Sequence, residues 1–241
     1  MIILMKCLNE EKVVERVISD FHGESWVSSI VVIDGGSTDY TVQELNKFGK
    51  VVVYSHPWID WYHDMEIIQS NIALSYVPHG KLCFILDFDE KMSPQLKAEL
   101  ASIDETGLQT DVAHVARRTY GVMRYPDSPY AVLDEDGWPI VMNQIGQYPD
   151  YQCRLIKRQP GMNWINSPHH QLFPKTLSNI NIPVDILHFE KDDERDRLRI
   201  EKKWARAQAR RKELGLTCDV FECRVEPELH KYTQPEAWKN D

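Results

Sequence analysis

Cysteine is scarce and unpaired. Cys7, Cys83, Cys153, Cys218 and Cys223 are scattered over 241 residues, and no two are spaced as a CxxC pair. This excludes a zinc knuckle and a thioredoxin-type site, and it fits a reducing cytosol. Cys7 and Cys83 sit in apolar runs and read as small core residues. Long hydrophobic runs are also missing. No stretch of 18 apolar residues occurs, so no transmembrane segment is expected. The apolar start ends at Lys6, too short for a signal peptide. Positive charge is in deficit: 28 Lys and Arg face 37 Asp and Glu, a formal charge of −9. An acidic chain is a poor binder of nucleic acid, which needs a basic face. A nucleotide held through a metal ion remains compatible with that charge. No internal repeat or low-complexity segment occurs.

What is present is ordinary for a globular chain: 42% hydrophobic and 27% charged residues. The length suits one large domain or one domain with an appendage. The first half alternates strand and helix patterns. Ile2–Lys6, Ser29–Ile33, Lys50–Tyr54 and Lys81–Leu86 read as strands. Between them lie helical patterns around Val13–Phe21, from Asp39 or Thr41 to Phe48, and over Asp64–Val77. Ser93-Pro94 opens another helix, with Ser as N-cap and Pro at the first helical position. This order predicts an α/β fold, a mostly parallel sheet flanked by helices on both faces.

The second half is less regular. Val112–Tyr120, Ile140–Ile145, Gln152–Lys157 and Val184–Phe189 read as strands, and Pro126–Gly137 as a loop with the composition of a mobile one. Asp192–Leu214 reads as one long helix with an acidic start and a basic end, both suited to the helix dipole. The expected organisation is a domain over 1–190 with a helical C-terminal extension over 191–241. The basic face of that helix reads as a solvated surface, with contact to an anionic acceptor or membrane as the alternative.

In sheets of this kind ligands bind at the carboxyl ends of the strands. Two of those ends carry aspartates, Asp34 with Asp39, and Asp87 with Asp89. Asp87 and Asp89 are two residues apart, so a continuing strand would point both to one side. Two such carboxylates call for a cation, and hard ions such as Mg²⁺ or Mn²⁺ take carboxylate and phosphate oxygens together. A solvated turn is the plainer reading of the same spacing. In Asp34-Gly35-Gly36-Ser37-Thr38-Asp39 the glycines permit close approach of backbone to a ligand, while Ser37, Thr38 and Asp39 equally serve as helix caps.

Four segments, in order, resemble the GT-A glycosyltransferases of family 2. Lys6-Cys7-Leu8-Asn9-Glu10-Glu11 is similar to the loop after that family's first strand. Val31-Val32-Ile33-Asp34-Gly35-Gly36-Ser37-Thr38-Asp39-Tyr40-Thr41 resembles its V-D-x-G-S-T-D-x-T segment. Ile85-Leu86-Asp87-Phe88-Asp89-Glu90 with Ser93-Pro94 resembles its metal motif. Tyr148-Pro149-Asp150-Tyr151-Gln152-Cys153-Arg154-Leu155 is similar to a stretch found in a subgroup that includes lipopolysaccharide core glucosyltransferases. The resemblance spans roughly residues 1–210. It implies a GT-A-like fold and a metal-dependent transfer of a sugar, with inversion, from a nucleotide-sugar donor to an acceptor hydroxyl. A UDP-sugar is the first donor expected, although Gly35 stands where many members carry a second Asp. The acceptor expected is a saccharide or glycolipid, and the location cytoplasmic, with a peripheral place at a membrane as a variant.

The resemblance also implies roles. Asn9 and Glu10 would lie beside the nucleotide, Asp34 at the base or ribose, and Asp87 at the ribose or donor sugar. Asp89 would bind a divalent metal, Mn or Mg, that bridges the diphosphate, and His188 falls where members place a metal or diphosphate ligand. A buried core histidine is the alternative for His188. An inverting transfer needs a base for the acceptor hydroxyl. Asp150 is the first candidate and Glu90 the second, Glu90 also being able to orient a metal ligand. Arg154 would clamp phosphate or pair with an acid on the sheet. His169 and His170 replace the subgroup's His-Glu, and Trp58, Trp61 and Tyr62 are either a sugar platform or packing. A nucleotidyltransferase of similar fold and a non-catalytic nucleotide-sugar-binding protein are the alternatives to the transferase.

Overall fold

The computed structural model describes residues 1–58, 65–124, 126, 131–165, 171–174 and 176–189. Its elements, in chain order, are β1 (Ile2–Cys7), α1 (Val14–Ser19), β2 (Ser29–Asp34), α2 (Thr41–Leu45), β3 (Val51–Ser55), α3 (Met65–Ser75), β4 (Leu82–Ile85), β5 (Glu90–Met92), α4 (Pro94–Thr106), β6 (Val112–Val122), β7 (Val141–Lys157), β8 (Asn163–Ile165), β9 (Gln171–Phe173) and β10 (Asn179–Phe189). The expected extension over 191–241, with its long helix, lies outside the described residues, as do Trp61, Tyr62, His169 and His170. No described helix is long and apolar enough to cross a membrane.

Eight strands form one sheet in the order β3-β2-β1-β4-β7-β6-β10-β5, and β8 pairs with β9 beside it. The first four strands are mutually parallel, as the sequence predicts. The remainder is mixed: β7 runs antiparallel to β4 and β6, β10 is parallel to β6, and β5 is antiparallel to β10. The strands bury both faces by simple alternation. Ile3, Met5, Ile30 and Val32 face α1, α2 and α4 through Val14, Val17, Leu45, Leu96 and Leu100. Leu4, Val31 and Ile33 face α3 through Ile67, Ala73 and Leu74, with Val77 just beyond its end. Each such side chain, fully buried, contributes about 1.5–3 kcal/mol. Cys7 and Cys83 are both in these cores. Ser93 caps α4, its Oγ accepting from the Leu96 amide at 3.1 Å, with Pro94 next in the chain.

Two expectations need correction. Ile140–Ile145, except for Ile140, and Gln152–Lys157 are not separate strands but parts of the 17-residue β7. Pro149, which has no N–H, signals a break in the sequence. On β6, however, Arg117 pairs with Asp150 and Thr119 with Ile145, so residues 146–149 bulge out of the ladder. Gly146 (φ 73°) makes the bend, and no ladder hydrogen bond is asked of Pro149. Second, the described part of the 126–137 loop is tied down. Asp134 Oδ1 accepts from the amides of Asp136 and Trp138 at 3.0 and 2.8 Å. Trp138 is buried, with the Arg16 and Lys91 cations 5.0 and 4.7 Å from its ring centroid.

Candidate active site

The carboxyl ends of β1, β2 and β4 lie side by side, and the loops leaving them carry the predicted residues. The β1 and β2 loops are sewn together. Asn9, at φ 58°, accepts through Oδ1 from the Thr38 amide at 2.8 Å, and its own amide donates to Ser37 Oγ at 2.9 Å. Asparagine tolerates this left-handed backbone better than most residues. The Glu10 amide donates to Thr41 Oγ1 at 2.7 Å, and the Glu11 amide to Asp39 Oδ2 at 3.3 Å. Asp34 is buried, and its carboxylate accepts from the amides of Gly36 and Ser37 at 3.1–3.2 Å. Burial first, then the Asp34 charge, pushes the Cys7 thiol up, so it stays protonated and donates to Asp34 Oδ1 at 3.6 Å. Asp34 thus shapes the glycine loop from beneath. The fit at Gly35 is tight: a Cβ would come 3.2 Å from the Cys7 carbonyl oxygen and 3.4 Å from Trp58 Cβ. The Trp58 amide donates to the Gly35 carbonyl at 2.6 Å, which packs Trp58 against this loop.

Beyond β4 the chain turns, with the Glu90 amide donating to the Asp87 carbonyl at 3.1 Å. The strand has ended at Ile85, so the alternation that would set Asp87 and Asp89 on one side of a continuing strand does not apply here. They go to different partners. Arg154 donates from Nη1 to Asp87 Oδ2 at 3.1 Å and from Nη2 to Glu90 Oε1 at 2.5 Å and Gln152 Oε1 at 3.1 Å. Arg154 and Glu90 are enclosed, while the Asp87 side chain is 39% exposed. Burial works against charge on Asp87, but the nearby Arg154 and Lys6 outweigh it and hold the carboxyl below its usual range. Glu90 goes the other way. Burial, joined by the charges of Asp87 and Asp89 and resisted by Arg154, pushes it up to about 7. Burial likewise opposes charge on Arg154, yet Glu90 and Asp87 make it harder to deprotonate than a free guanidinium. Of the two readings of Arg154, the geometry displays the pairing with acids.

Asp89 meets His188 instead: Oδ2 lies 3.7 Å from Nε2. The pairing of β5 with β10 sets Glu90 opposite His188 and so brings Asp89 alongside. His188 Nδ1 is 3.2 Å from Thr119 Oγ1. With Nδ1 donating there, Nε2 carries the lone pair that would ligate a cation beside Asp89. An imidazole and a carboxylate suit Mn²⁺. Two donors each ~2.1 Å from one ion can be at most ~4.2 Å apart, and this pair meets that bound. Among the described residues no group of three or more His, Cys, Asp or Glu converges on one point. A cation here would therefore take its other ligands from phosphate and water, as Mg²⁺ and Mn²⁺ sites do.

Asp150 lies on β7 opposite Arg117, within the ladder and not in a turn. Its Oδ2 accepts from Arg117 Nε at 3.1 Å and Nη2 at 2.8 Å, and from Gln152 Nε2 at 3.0 Å. Ala113 pairs with Leu155 and His114 with Cys153, which leaves Arg154 as the extra residue of a β-bulge. Strict alternation would put Leu155 on the face opposite Gln152. The bulge instead lets Leu155 enter the same core as Val115 while Arg154 still reaches Gln152. Arg117, Thr119 and Lys6 were not singled out from the sequence. The only signal for the first two is their i, i+2 spacing on a predicted strand.

No family model matches the chain. Among solved structures it is similar to the S. aureus protein TarS (residues 1–349, in complex with UDP). The likeness has 21% identity and a TM-score of 0.41, and covers 53% of this chain and 38% of that one. It is also similar to glucosyl-3-phosphoglycerate synthase from Mycobacterium tuberculosis in complex with Mn²⁺, UDP-glucose and phosphoglyceric acid. There the identity is 22% and the TM-score 0.37, covering 48% of this chain and 43% of that one. The chain spans less than half the length of these proteins.

Proposed function

We propose that this chain is a GT-A glycosyltransferase that moves a sugar from a nucleotide-sugar donor to an acceptor hydroxyl with inversion, assisted by a divalent cation. The observation that carries the reading is the Asp89–His188 pair at 3.7 Å, set at the strand ends beside the Asn9 and Asp34 loops. Asp89 and His188 would hold the cation, which when bound supplies positive charge to the departing diphosphate. Asn9, Glu10 and Asp34 form and flank the nucleotide loop. Arg154 keeps Asp87 ionised and oriented toward the donor. Asp150 receives the proton of the acceptor hydroxyl as the new bond forms. The resemblance of Tyr148–Leu155 to lipopolysaccharide core glucosyltransferases makes a saccharide or glycolipid the first acceptor class to try. Residues 1–190 would form the transferase domain and 191–241 an extension packed on it.

The test is a thermal-shift panel of nucleoside diphosphates with and without Mn²⁺, starting with UDP, followed by UDP-sugars assayed for release of UDP. A ligand at a hundred times its dissociation constant stabilises the folded state by about 2.7 kcal/mol. Stabilisation by a diphosphate that requires Mn²⁺, together with UDP release, is expected. A panel without any Mn²⁺-dependent shift sinks the reading.

A further inference from the structure

Asp150 is held in an asymmetric way. All three of its hydrogen bonds fall on Oδ2, two from Arg117 and one from Gln152. A carboxylate oxygen has two lone-pair sites, so three donors saturate it. Among the described residues, Oδ1 accepts none. Gln152 has its own orientation fixed from both ends: its Oε1 accepts from Arg154 Nη2, and its Nε2 donates to Asp150. A flipped amide would put N–H against the Arg154 guanidinium and a carbonyl oxygen against a carboxylate. One hydrogen-bonded line therefore runs from Asp87 and Glu90 through Arg154 and Gln152 to Asp150 and Arg117.

We propose that Arg117 and Gln152 are positioning residues that divide the labour between the two oxygens of Asp150. They occupy Oδ2 and leave Oδ1 as the oxygen that takes the proton of the attacking hydroxyl. This rests on the assignment of Asp150 as base under Proposed function. In the step itself, the acceptor O–H gives its proton to Oδ1, the acceptor oxygen bonds to the anomeric carbon, and the bond to the diphosphate oxygen breaks with its electron pair. Gln152, by linking to Arg154, holds this oxygen at a set distance from Asp87, the residue placed at the donor sugar. Moving a reacting group by about 1 Å can slow a reaction on the order of a hundredfold.

The experiment follows UDP release from UDP-glucose with Mn²⁺, water serving as the acceptor, in Gln152→Ala, Gln152→Glu, Arg117→Lys and Arg117→Ala. Thermal melts check that each variant is folded. For Gln152→Ala a tenfold or larger fall in kcat with KM for UDP-glucose within about threefold is expected. Gln152→Glu, which keeps the Arg154 contact but sets an acceptor against Oδ2, should lose more than Gln152→Ala. Arg117→Lys has a single ammonium in place of the fork and should fall similarly, and guanidinium ion should partly restore Arg117→Ala. Folded variants with kcat unchanged, or losses confined to KM, overturn the positioning role. If Asp150→Asn alone is inactive while the Gln152 and Arg117 variants turn over normally, the base assignment stands and this proposal falls. If Asp150→Asn is active, the base assignment falls and this one with it. No UDP release by the parent chain from UDP-glucose overturns both.

Discussion

Asp89 and His188, remote in sequence, are neighbours because β5 and β10 pair antiparallel, Glu90 lying opposite His188. Both side chains are partly exposed, Asp89 at 25% and His188 at 20%, so removing either is expected to leave the fold intact. Asp89→Ala should erase the Mn²⁺-dependent part of nucleotide stabilisation, about 2.7 kcal/mol at a hundredfold excess over the dissociation constant. His188→Ala should weaken it. Thermal melts with UDP, in Mn²⁺ and in EDTA, measure this. An Asp89→Ala protein that still gains stability only when Mn²⁺ is present would place the cation elsewhere.

Arg154 offers the pH test. It is enclosed with Glu90 and hydrogen-bonds both Glu90 and Asp87. Arg154→Met removes the cation from the enclosed Glu90 carboxyl and from the part-exposed Asp87, a loss of about 3–5 kcal/mol at neutral pH or above. The sign follows from linkage. Glu90 is already pushed up to about 7 by burial and the neighbouring aspartates, so below that pH it binds a proton in the folded parent and variant alike. Without Arg154 its proton affinity rises further, and that of Asp87, now held low, rises too. The variant therefore falls further behind the parent as pH increases. Urea unfolding at pH 5 and pH 8.5 should show the larger gap at pH 8.5. An equal or smaller gap there would mean that the pairing with Arg154 does not stabilise these charges.

The parallel half of the sheet was legible because its residues repeat one local rule. Ser29–Ile33 is apolar at every position but the first, and a strand buried on both faces needs that. The clusters at strand ends were legible because chemistry and topology agree there. The rest depends on information that sequence spacing does not hold. The Arg154 bulge has no marker in Gln152-Cys153-Arg154-Leu155. The continuity of β7 is hidden by Pro149, whose missing N–H matters only if the ladder needs it. β5 is three residues long, below the length at which period-2 alternation can be read, yet it sets Asp89 against His188. Arg117 became visible as a site residue only when β6 and β7 were placed in register.

Gly35 tests the loop geometry. A methyl group there meets the Cys7 carbonyl oxygen at 3.2 Å, a backbone atom held in β1, and Trp58 Cβ at 3.4 Å. Neither neighbour is the free end of a flexible side chain. Gly35→Ala should cost about 1–3 kcal/mol, the range for overpacking, and should weaken nucleotide binding by prising the β2 loop from β1. Gly49, where a Cβ would meet nothing within 4 Å, is the control, and Gly49→Ala should change nucleotide affinity little. Urea midpoints and UDP affinity measured on both variants decide the matter. A Gly35→Ala protein as stable as the parent would show that the two loops separate without cost.

The acceptor end rests on Asp150. Its carboxylate stands opposite Arg117 in the ladder, and one hydrogen-bonded residue, Gln152, separates it from the guanidinium that holds Asp87. Asp150→Asn keeps the shape but cannot accept a proton at the same position. Turnover should fall at least about a hundredfold, the low end for loss of a general base. Donor affinity should stay within a few-fold, because among the described residues the partners of Asp150 are Arg117 and Gln152 and not the nucleotide loops. Transfer or donor hydrolysis, with binding measured in parallel, separates the two quantities. Turnover within a few-fold of the parent would move the role to Glu90, the second candidate. A loss of donor affinity instead would put Asp150 at the donor, and the acceptor would then have to approach from another side of the sheet.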